Sequence, residues 1–178
     1  SASQVEIQSG IQFYDGITTA EIQEILIRSA SDLIDLDHPN YQFVAARLLL
    51  FSLRKQLFGR MRECPIVIDH VKKCVAKGVY DAEILDLYSE EEYNRLQSFI
   101  DHSRDFLFTY AGLRQVVDKY LVQDRSTGEV YETPQFMYLM IAATIFSKYP
   151  KETRLNYVRN YYDAISRHRI NIPTPIMA

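Results

Sequence analysis

The stretch "YQFVAARLLLFSLRKQLF", residues 41–58, decides the fold of this chain. Its apolar side chains, Phe43, Leu48 and Leu53 among them, fall on nearly every face of the helix that this sequence favours. A helix that is apolar all round is surrounded by other parts of its protein. We therefore predict a central helix over residues 41–58. Its charged exceptions are three basic residues: Arg47, Arg54 and Lys55.

The segment before this helix carries a strong signal for a helix of its own. Thr18 stands three residues before Glu21, which is the spacing of a capping box, where each side chain accepts a hydrogen bond from the other residue's backbone N–H. Gly16 can adopt positive φ in the turn just before it. Because apolar residues then recur at helical spacing through residues 19–36, we predict an amphipathic helix there.

Helical spacing also dominates the rest of the chain, with one exception. Further helices are predicted over about 65–77, after a capping box at Ser89, over about 109–118, after Thr133 and Pro134, and from Pro150 onward. The exception is "KYLVQDRSTGEVYETPQ", residues 119–135, where β-branched and aromatic residues flank a polar loop with a glycine. This pattern predicts a two-stranded hairpin near 119–133. The predicted fold class is mainly α, a helical domain with one small β-hairpin.

The composition excludes several classes of protein. With 47% apolar and 24% charged residues among 178, the chain is globular rather than disordered. A net charge of −3 predicts no binding to nucleic acid or to an anionic membrane, and the longest apolar run, residues 136–146, is too short to span a bilayer. Cys64 and Cys74 have neither metal-site nor redox-motif spacing. We therefore predict structural thiols in a reducing compartment, the cytoplasm.

Neither the histidines nor the short motif "HSRD" predicts catalytic chemistry. No two histidines have the i, i+4 spacing of a helical metal site. Residues 102–105 are superficially similar to a kinase catalytic loop, yet no glycine-rich phosphate loop accompanies them. We predict a solvated cap or a surface ion pair at this motif, and no catalytic residue or metal ligand in the chain.

One combination of residues suits an anion. The helix N-terminus at Thr18 and Thr19 offers backbone N–H groups and hydroxyls. The basic residues Arg47, Arg54 and Lys55 would face this terminus if the two helices are antiparallel. The same features also occur at ordinary helix ends, as caps and as cations near a C-terminus. A phosphate site and simple helix capping are both open interpretations at this point.

A second polar side chain stands in an unusual place near the end of the chain. Thr174 lies between Pro173 and Pro175. Proline restricts its own backbone and that of the preceding residue, so the threonine hydroxyl would be held in one direction. The alternative is a simple loop after an edge strand, and the local residues do not choose between the two.

Five stretches carry a resemblance to one family: "IQFYDGITTAEI", "NYQFVAARLLLFSLRK", "KYLVQDRSTGEVYETPQF", "YPKETRLNYVRNYYDAIS" and "INIPTPIMA". In this order they resemble the amino-terminal region of the large (alpha) subunit of class I ribonucleotide reductase. The resemblance covers essentially the whole chain and is weakest around residues 60–66. It implies three parts: the helical remainder of an ATP cone over 1–57, an all-α domain over 58–169, and the first strand of a truncated α/β barrel over 170–178.

The resemblance also implies site residues. Thr19 and Lys55 match the family's threonine and lysine that bind ATP as activator or dATP as inhibitor, and Thr174 matches the threonine that contacts the substrate. The family's catalytic cysteines lie in the barrel, and Cys64 and Cys74 match none of them. The fragment is therefore expected to hold no cofactor and to be catalytically inactive.

The activity that the resemblance implies belongs to a longer parent, to which both ends of this chain are expected to be internal. That parent reduces ribonucleoside diphosphates to deoxyribonucleoside diphosphates for DNA synthesis by cysteine-radical chemistry. Its implied partners are a small (beta) subunit that holds the metal cofactor, thioredoxin or glutaredoxin as reductant, and a second large subunit in a homodimer. The alternative hypothesis is a stand-alone helical regulatory or interaction module without catalytic activity.

Overall fold

The computed structural model describes residues 2–59 and 63–173, and the described part of the chain is helical apart from one hairpin. The elements are α1 (Ala2–Gly10), α2 (Thr19–Asp32), α3 (Tyr41–Phe58), α4 (Val67–Ala76), α5 (Glu83–Leu87), α6 (Glu90–Phe99), a 3-10 helix (His102–Leu107), α7 (Tyr110–Lys119), β1 (Gln123–Asp124), β2 (Glu129–Val130), α8 (Pro134–Ile145) and α9 (Lys151–Ser166). The predicted mainly α fold with one small hairpin is confirmed.

Helix α3 is central, as its sequence predicts, and it has the predicted ends. It packs against α2 and α7 and contacts the 3-10 helix. Leu49, Leu50 and Leu53 are buried in the process. Solvent reaches a stripe of the helix that includes Val44 and Arg47. The remaining faces are covered, so α3 holds the amino-terminal helices and the rest of the chain together.

Both predicted capping boxes are present. At the start of α2, the Glu21 backbone N–H donates to Thr18 Oγ1 over 3.2 Å, and the Thr18 backbone N–H donates to Glu21 Oε2 over 2.8 Å. Ser89 and Glu92 make the same reciprocal pair at the start of α6. These caps satisfy backbone donors that a helix N-terminus otherwise leaves without partners. Local sequence therefore defines where both helices begin.

The hairpin is confirmed in a shorter form than its sequence suggests. Strands β1 and β2 pair antiparallel with Gln123 opposite Val130, and Gly128 adopts φ 74° in the loop. Thr133 stands at the N-cap of α8 with Pro134 in the first turn, as predicted. The Thr133 hydroxyl is buried, however, and finds no hydrogen-bond partner within residues 2–59 and 63–173. Proline and burial, rather than a hydroxyl cap, therefore define this helix start.

Three elements have no counterpart among the predictions: α1, α5 and the 3-10 helix. Helix α1 has little amphipathic pattern of its own and is held by tertiary contacts. Val5 packs with Ala30 and Ala45, and the Tyr41 hydroxyl donates to Gln4 Oε1 over 2.5 Å. Helix α5 is only 5 residues long. Elements this short or this weakly patterned form only when neighbouring parts of the fold stabilise them.

Two apolar clusters share helix α3. The small cluster joins α1, α2 and the first half of α3. The large cluster takes Ile27 of α2 and α3 from Ala46 onward, together with α4 to α9 and the hairpin. Its largest fully buried apolar side chains include Phe136, Leu50, Leu96, Leu113 and Leu139. Within residues 2–59 and 63–173, no helix combines the length and apolarity needed to cross a bilayer.

Of the segment 170–178, over which we predicted the first barrel strand, the structure describes only residues 170–173. Residues 170–173 form no strand with any described residue. A strand needs a neighbour to pair with its backbone groups, and the described part of the chain offers none at this place. Thr174 and the residues after it lie outside the described residues, so the rest of this prediction is not tested.

Candidate functional site

Helices α2 and α3 run antiparallel, which brings the start of α2 to the end of α3. Near one end of the pair, Ala30 packs with Tyr41 and Ala45. Toward the other end, Glu24 lines a cavity of about 260 Å³ together with Ser52 and Gln56. Since Thr19 opens α2 and Lys55 lies in the last turn of α3, both residues lie toward this second end.

Several hydrogen-bond donors at the start of α2 have no acceptor in the described part of the chain. The side chain of Thr18 caps the helix, and the Ile22 backbone N–H bonds the Thr18 carbonyl. The backbone N–H groups of Thr19 and Ala20 have no acceptor among the described residues. The Thr19 hydroxyl and the Lys55 ammonium are exposed and likewise make no hydrogen bond or ion pair within that part of the chain. Two amides, a hydroxyl and a cation are therefore available to an anion at this end of the helix pair.

An acidic residue borders the same helix terminus. Glu21 accepts hydrogen bonds from Thr18 and, over 3.0 Å, from the Tyr14 hydroxyl. The hydrogen bond from the Thr18 side chain, followed by the bonds from the Thr18 backbone and from Tyr14, lowers the pKa of the Glu21 carboxyl. Glu21 is therefore ionised at neutral pH, and its charge opposes an anion at this terminus.

Arg54 does not belong to the basic edge at which the sequence placed it. It is 4% exposed, its Nη2 lies 2.7 Å from Asp105 Oδ2, and the same Nη2 donates to the His102 carbonyl over 2.6 Å. Consecutive helical residues point about 100° apart, so Arg54 faces the core while Lys55 faces solvent. Arg54 therefore does not line the anion site that the sequence left open, because it forms a buried ion pair with Asp105.

The "HSRD" motif has the predicted cap and a partly exposed ion pair, since Arg104 Nη1 lies 2.7 Å from Asp163 Oδ1, but its Asp105 is buried. Asp101 does cap the 3-10 helix, since its Oδ1 accepts from the Ser103 backbone N–H over 3.0 Å. Asp105, in contrast, is 1% exposed and forms a buried ion pair rather than a surface one. Its other oxygen accepts from Gln135 Nε2 over 3.0 Å, and Gln135 Oε1 accepts from the Tyr162 hydroxyl over 2.7 Å. This chain of bonds joins α3, the 3-10 helix, α8 and α9.

A second buried acid, Glu132, was not singled out by sequence reasoning. It follows the hairpin and is 2% exposed. Its Oε1 accepts from the Val122 backbone N–H over 2.9 Å, and its Oε2 accepts from the Tyr80 hydroxyl. Burial raises the pKa of Glu132 to about 7. The only signal in the sequence is an acid that immediately follows a predicted strand, and it did not reveal burial.

The histidines and cysteines form no active thiolate: Cys74 Sγ lies 3.6 Å from His70 Nε2, but this pair is buried and its pKa values are shifted away from those of a thiolate and an imidazolium. Among residues 2–59 and 63–173, no group of three or more His, Cys, Asp or Glu side chains could hold a metal ion. Burial lowers the pKa of His70, whose ring stacks on Phe136, to about 3. It raises the pKa of Cys64, and it raises that of Cys74 to about 11. Both thiols are therefore protonated at neutral pH and are poor nucleophiles.

Two segments of the chain match known protein families. The ATP cone domain family matches residues 1–56, which include Thr19 and Lys55. The family described as "Ribonucleotide reductase, all-alpha domain" matches residues 106–178. The segment between the two matches, residues 57–105, includes α4, α5 and α6.

Known proteins are similar to the chain along its full length. It is 53% identical over 178 residues to ribonucleoside-diphosphate reductase 1 subunit alpha of Escherichia coli (strain K12), covering 100% of this chain and 23% of that protein. The subunit alpha of Haemophilus influenzae is 54% identical with the same coverage, and that of Enterobacteria phage T4 is 45% identical over 180 residues, with 24% of it covered. The chain therefore spans about a quarter of the length of these relatives. The chain therefore carries one segment that matches the ATP cone family and one that matches the ribonucleotide reductase all-alpha family, and over its whole length it is similar to the amino-terminal region of ribonucleoside-diphosphate reductase alpha subunits.

Proposed function

We propose that this chain is the effector-binding, amino-terminal part of a ribonucleoside-diphosphate reductase large subunit, with its nucleotide site at Thr19 and Lys55. The observation that carries the proposal is the group of available donors at the start of α2, at the same end of the helix pair as the exposed ammonium of Lys55. The match of residues 1–56 to the ATP cone domain supports a nucleotide as the anion.

The chemistry of the two helix ends fits a phosphate chain. Phosphate oxygens accept hydrogen bonds from backbone N–H groups at a helix N-terminus, where the helix dipole also favours negative charge. The Thr19 hydroxyl adds a donor, and Lys55 contributes a mobile point charge. The effector in this proposal is ATP or dATP. In the parent, this nucleotide sets the activity and takes no part in the chemistry.

A titration with ATP tests the site. In amide-resolved NMR spectra of this chain, we expect ATP to shift the signals of Thr19 and Ala20 with weak, roughly millimolar affinity. Adenosine, which lacks the phosphates, should leave these signals in place. Lys55→Ala should abolish the shifts, while Arg47→Ala, which removes an exposed cation elsewhere on α3, should not. Shifts that survive Lys55→Ala, or that adenosine reproduces, would contradict the proposal.

We further propose the domain division that the resemblance implies: a partial ATP cone over 1–57, an all-α domain over 58–169, and the start of the catalytic barrel over 170–178. The small apolar cluster of α1, α2 and α3 supports a separate amino-terminal unit. The second half of α3 packs into the larger cluster, so this helix would also be the mechanical link between the first two units.

The remaining roles belong to the parent protein. In this proposal Thr174 contacts the ribonucleoside diphosphate, and the parent works as a homodimer with a small subunit that holds the metal. Thioredoxin or glutaredoxin supplies the reducing equivalents, and the complex resides in the cytoplasm. The similarity of this whole chain to part of the reductase alpha subunits supports this assignment.

We expect no conversion of ribonucleoside diphosphates by this chain, even when a reductase small subunit is added. Its 2 cysteines are Cys64 and Cys74, and burial raises the pKa of both, so neither is a reactive thiolate. Chromatographic detection of deoxynucleotides is the measurement, with a complete reductase as positive control. Deoxynucleotide formed by the chain and lost on Cys64→Ser or Cys74→Ser would refute this expectation.

A further inference from the structure

A cavity unrelated to the proposed effector site lies beside helix α8. Its volume is about 440 Å³, which is within the range of small-molecule sites. One wall is α8, a second is the segment 79–87 around α5, and the base of the hairpin closes the third side. The walls are mostly apolar and include Ile84, Leu87, Met137, Met140, Ile141 and Ile145.

Glu132 lines this cavity, and among the residues that the structure describes its carboxyl has no cation as partner. Its hydrogen bonds come from the Val122 backbone and the Tyr80 hydroxyl. Two lysines at the end of neighbouring α4 have other partners: Lys77 Nζ lies 2.7 Å from Glu129 Oε1, and Lys73 Nζ donates to the Leu57 carbonyl over 3.4 Å. A carboxylate has about four acceptor positions, so Glu132 keeps acceptor capacity for a further donor. A buried carboxylate of this kind is costly unless a cation pairs with it.

The other charges at the cavity have the same sign. Asp81 and Glu83 line it on the α5 side, and no lysine, arginine or histidine is among its described lining residues. Negative charge surrounded by apolar walls attracts a cation and repels an anion. Met137 and Met140 add flexible thioethers, which adapt to ligand shape and pack well against aromatic rings.

We propose that this cavity binds a small amphipathic ammonium ion, whose charged group pairs with Glu132 while its apolar body packs against the methionines of α8. The ammonium supplies the cation that the buried carboxyl lacks, and its N–H groups fill the remaining acceptor positions. The ligand class differs from that of the effector site, since a nucleotide is an anion. The inference therefore does not depend on the proposed reductase function.

Matched probes test the charge requirement. At pH 8, 2-phenylethylammonium and its neutral counterpart 2-phenylethanol are titrated into the chain, and binding is followed by NMR shifts of α8 amides. The charge-assisted bond to Glu132 should make the ammonium bind about tenfold or more tightly than the alcohol. Equal binding of the two probes, or no binding of either, would overturn the proposal.

Three variants test whether the two probes bind in this cavity. Glu132→Gln should lower the affinity for the ammonium about tenfold and leave that for the alcohol unchanged. Glu129→Gln, on the same hairpin but exposed and paired with Lys77, should change neither. Thr144→Trp, at the exposed rim on α8, should fill the space and remove binding of both probes. An ammonium affinity that is undiminished in Glu132→Gln, or ammonium binding that persists in Thr144→Trp, would refute the site.

Discussion

Replacing Arg54 by alanine is expected to destabilise the fold by about 3–5 kcal/mol, the cost of leaving a buried charge without its partner. Asp105 is 1% exposed, and Arg54 is its cationic partner at 2.7 Å. Burial raises the pKa of Asp105, and the Arg54 guanidinium opposes that rise. Without the guanidinium, Asp105 must either stay charged in the core or take up a proton. Urea unfolding followed by circular dichroism measures the loss.

The neighbouring Lys55→Ala variant is the matched control. It removes a cation from the next position of the same helix, but this side chain is exposed and makes no ion pair with a described residue. Its effect on the free energy of unfolding should stay within about 0.5 kcal/mol. If Arg54→Ala costs no more than Lys55→Ala, the ion pair does not stabilise the junction between α3, the 3-10 helix and α8.

Glu132→Gln is expected to stabilise the protein at pH 8, by on the order of 3 kcal/mol, and to leave its stability nearly unchanged at pH 4. Burial raises the pKa of Glu132 from 4.5 to about 7, so the folded chain holds this proton more tightly than the unfolded chain. Proton binding by Glu132 therefore stabilises the folded chain fully below pH 4.5, and this stabilisation is lost as the pH rises through 7. Glutamine is always neutral, and it can still accept from Val122 while it donates to Tyr80.

The difference in unfolding free energy between wild type and Glu132→Gln isolates the contribution of Glu132. His70 and His102 act in the opposite direction, because burial lowers their pKa values to about 3 and about 4, so stability falls as the pH drops below 6.5. Both histidines are present in both proteins, and their effect cancels when the two unfolding free energies are subtracted at each pH. Glu129→Gln, an exposed change on the same hairpin, should give no gain at pH 8. A Glu132→Gln variant that is less stable than wild type at pH 8 would disprove the burial argument.

The sequence drew attention to Arg54 but not to Glu132, and in neither case did it reveal that the charge is buried. Arg54 was noticed, but as part of a solvent-facing basic edge. Its partner Asp105 lies 51 residues away, so no local pattern reports the pair. Glu132 was not noticed, because its burial depends on Tyr80, 52 residues earlier, and on the packing of the hairpin against α4. Long-range burial of a charge leaves no periodicity in the sequence.

By itself, the sequence determined the elements whose signals are short-range. The limits of α3, the capping box of Thr18 and Glu21, and the turn at Gly128 each depend on residues within a few positions of one another. The tertiary structure alone decided which charges face the core and which weak elements form, among them α1. A hydrogen-bonded cap is complete within one turn of helix, whereas the environment of a side chain is made by helices that meet only after the chain has folded.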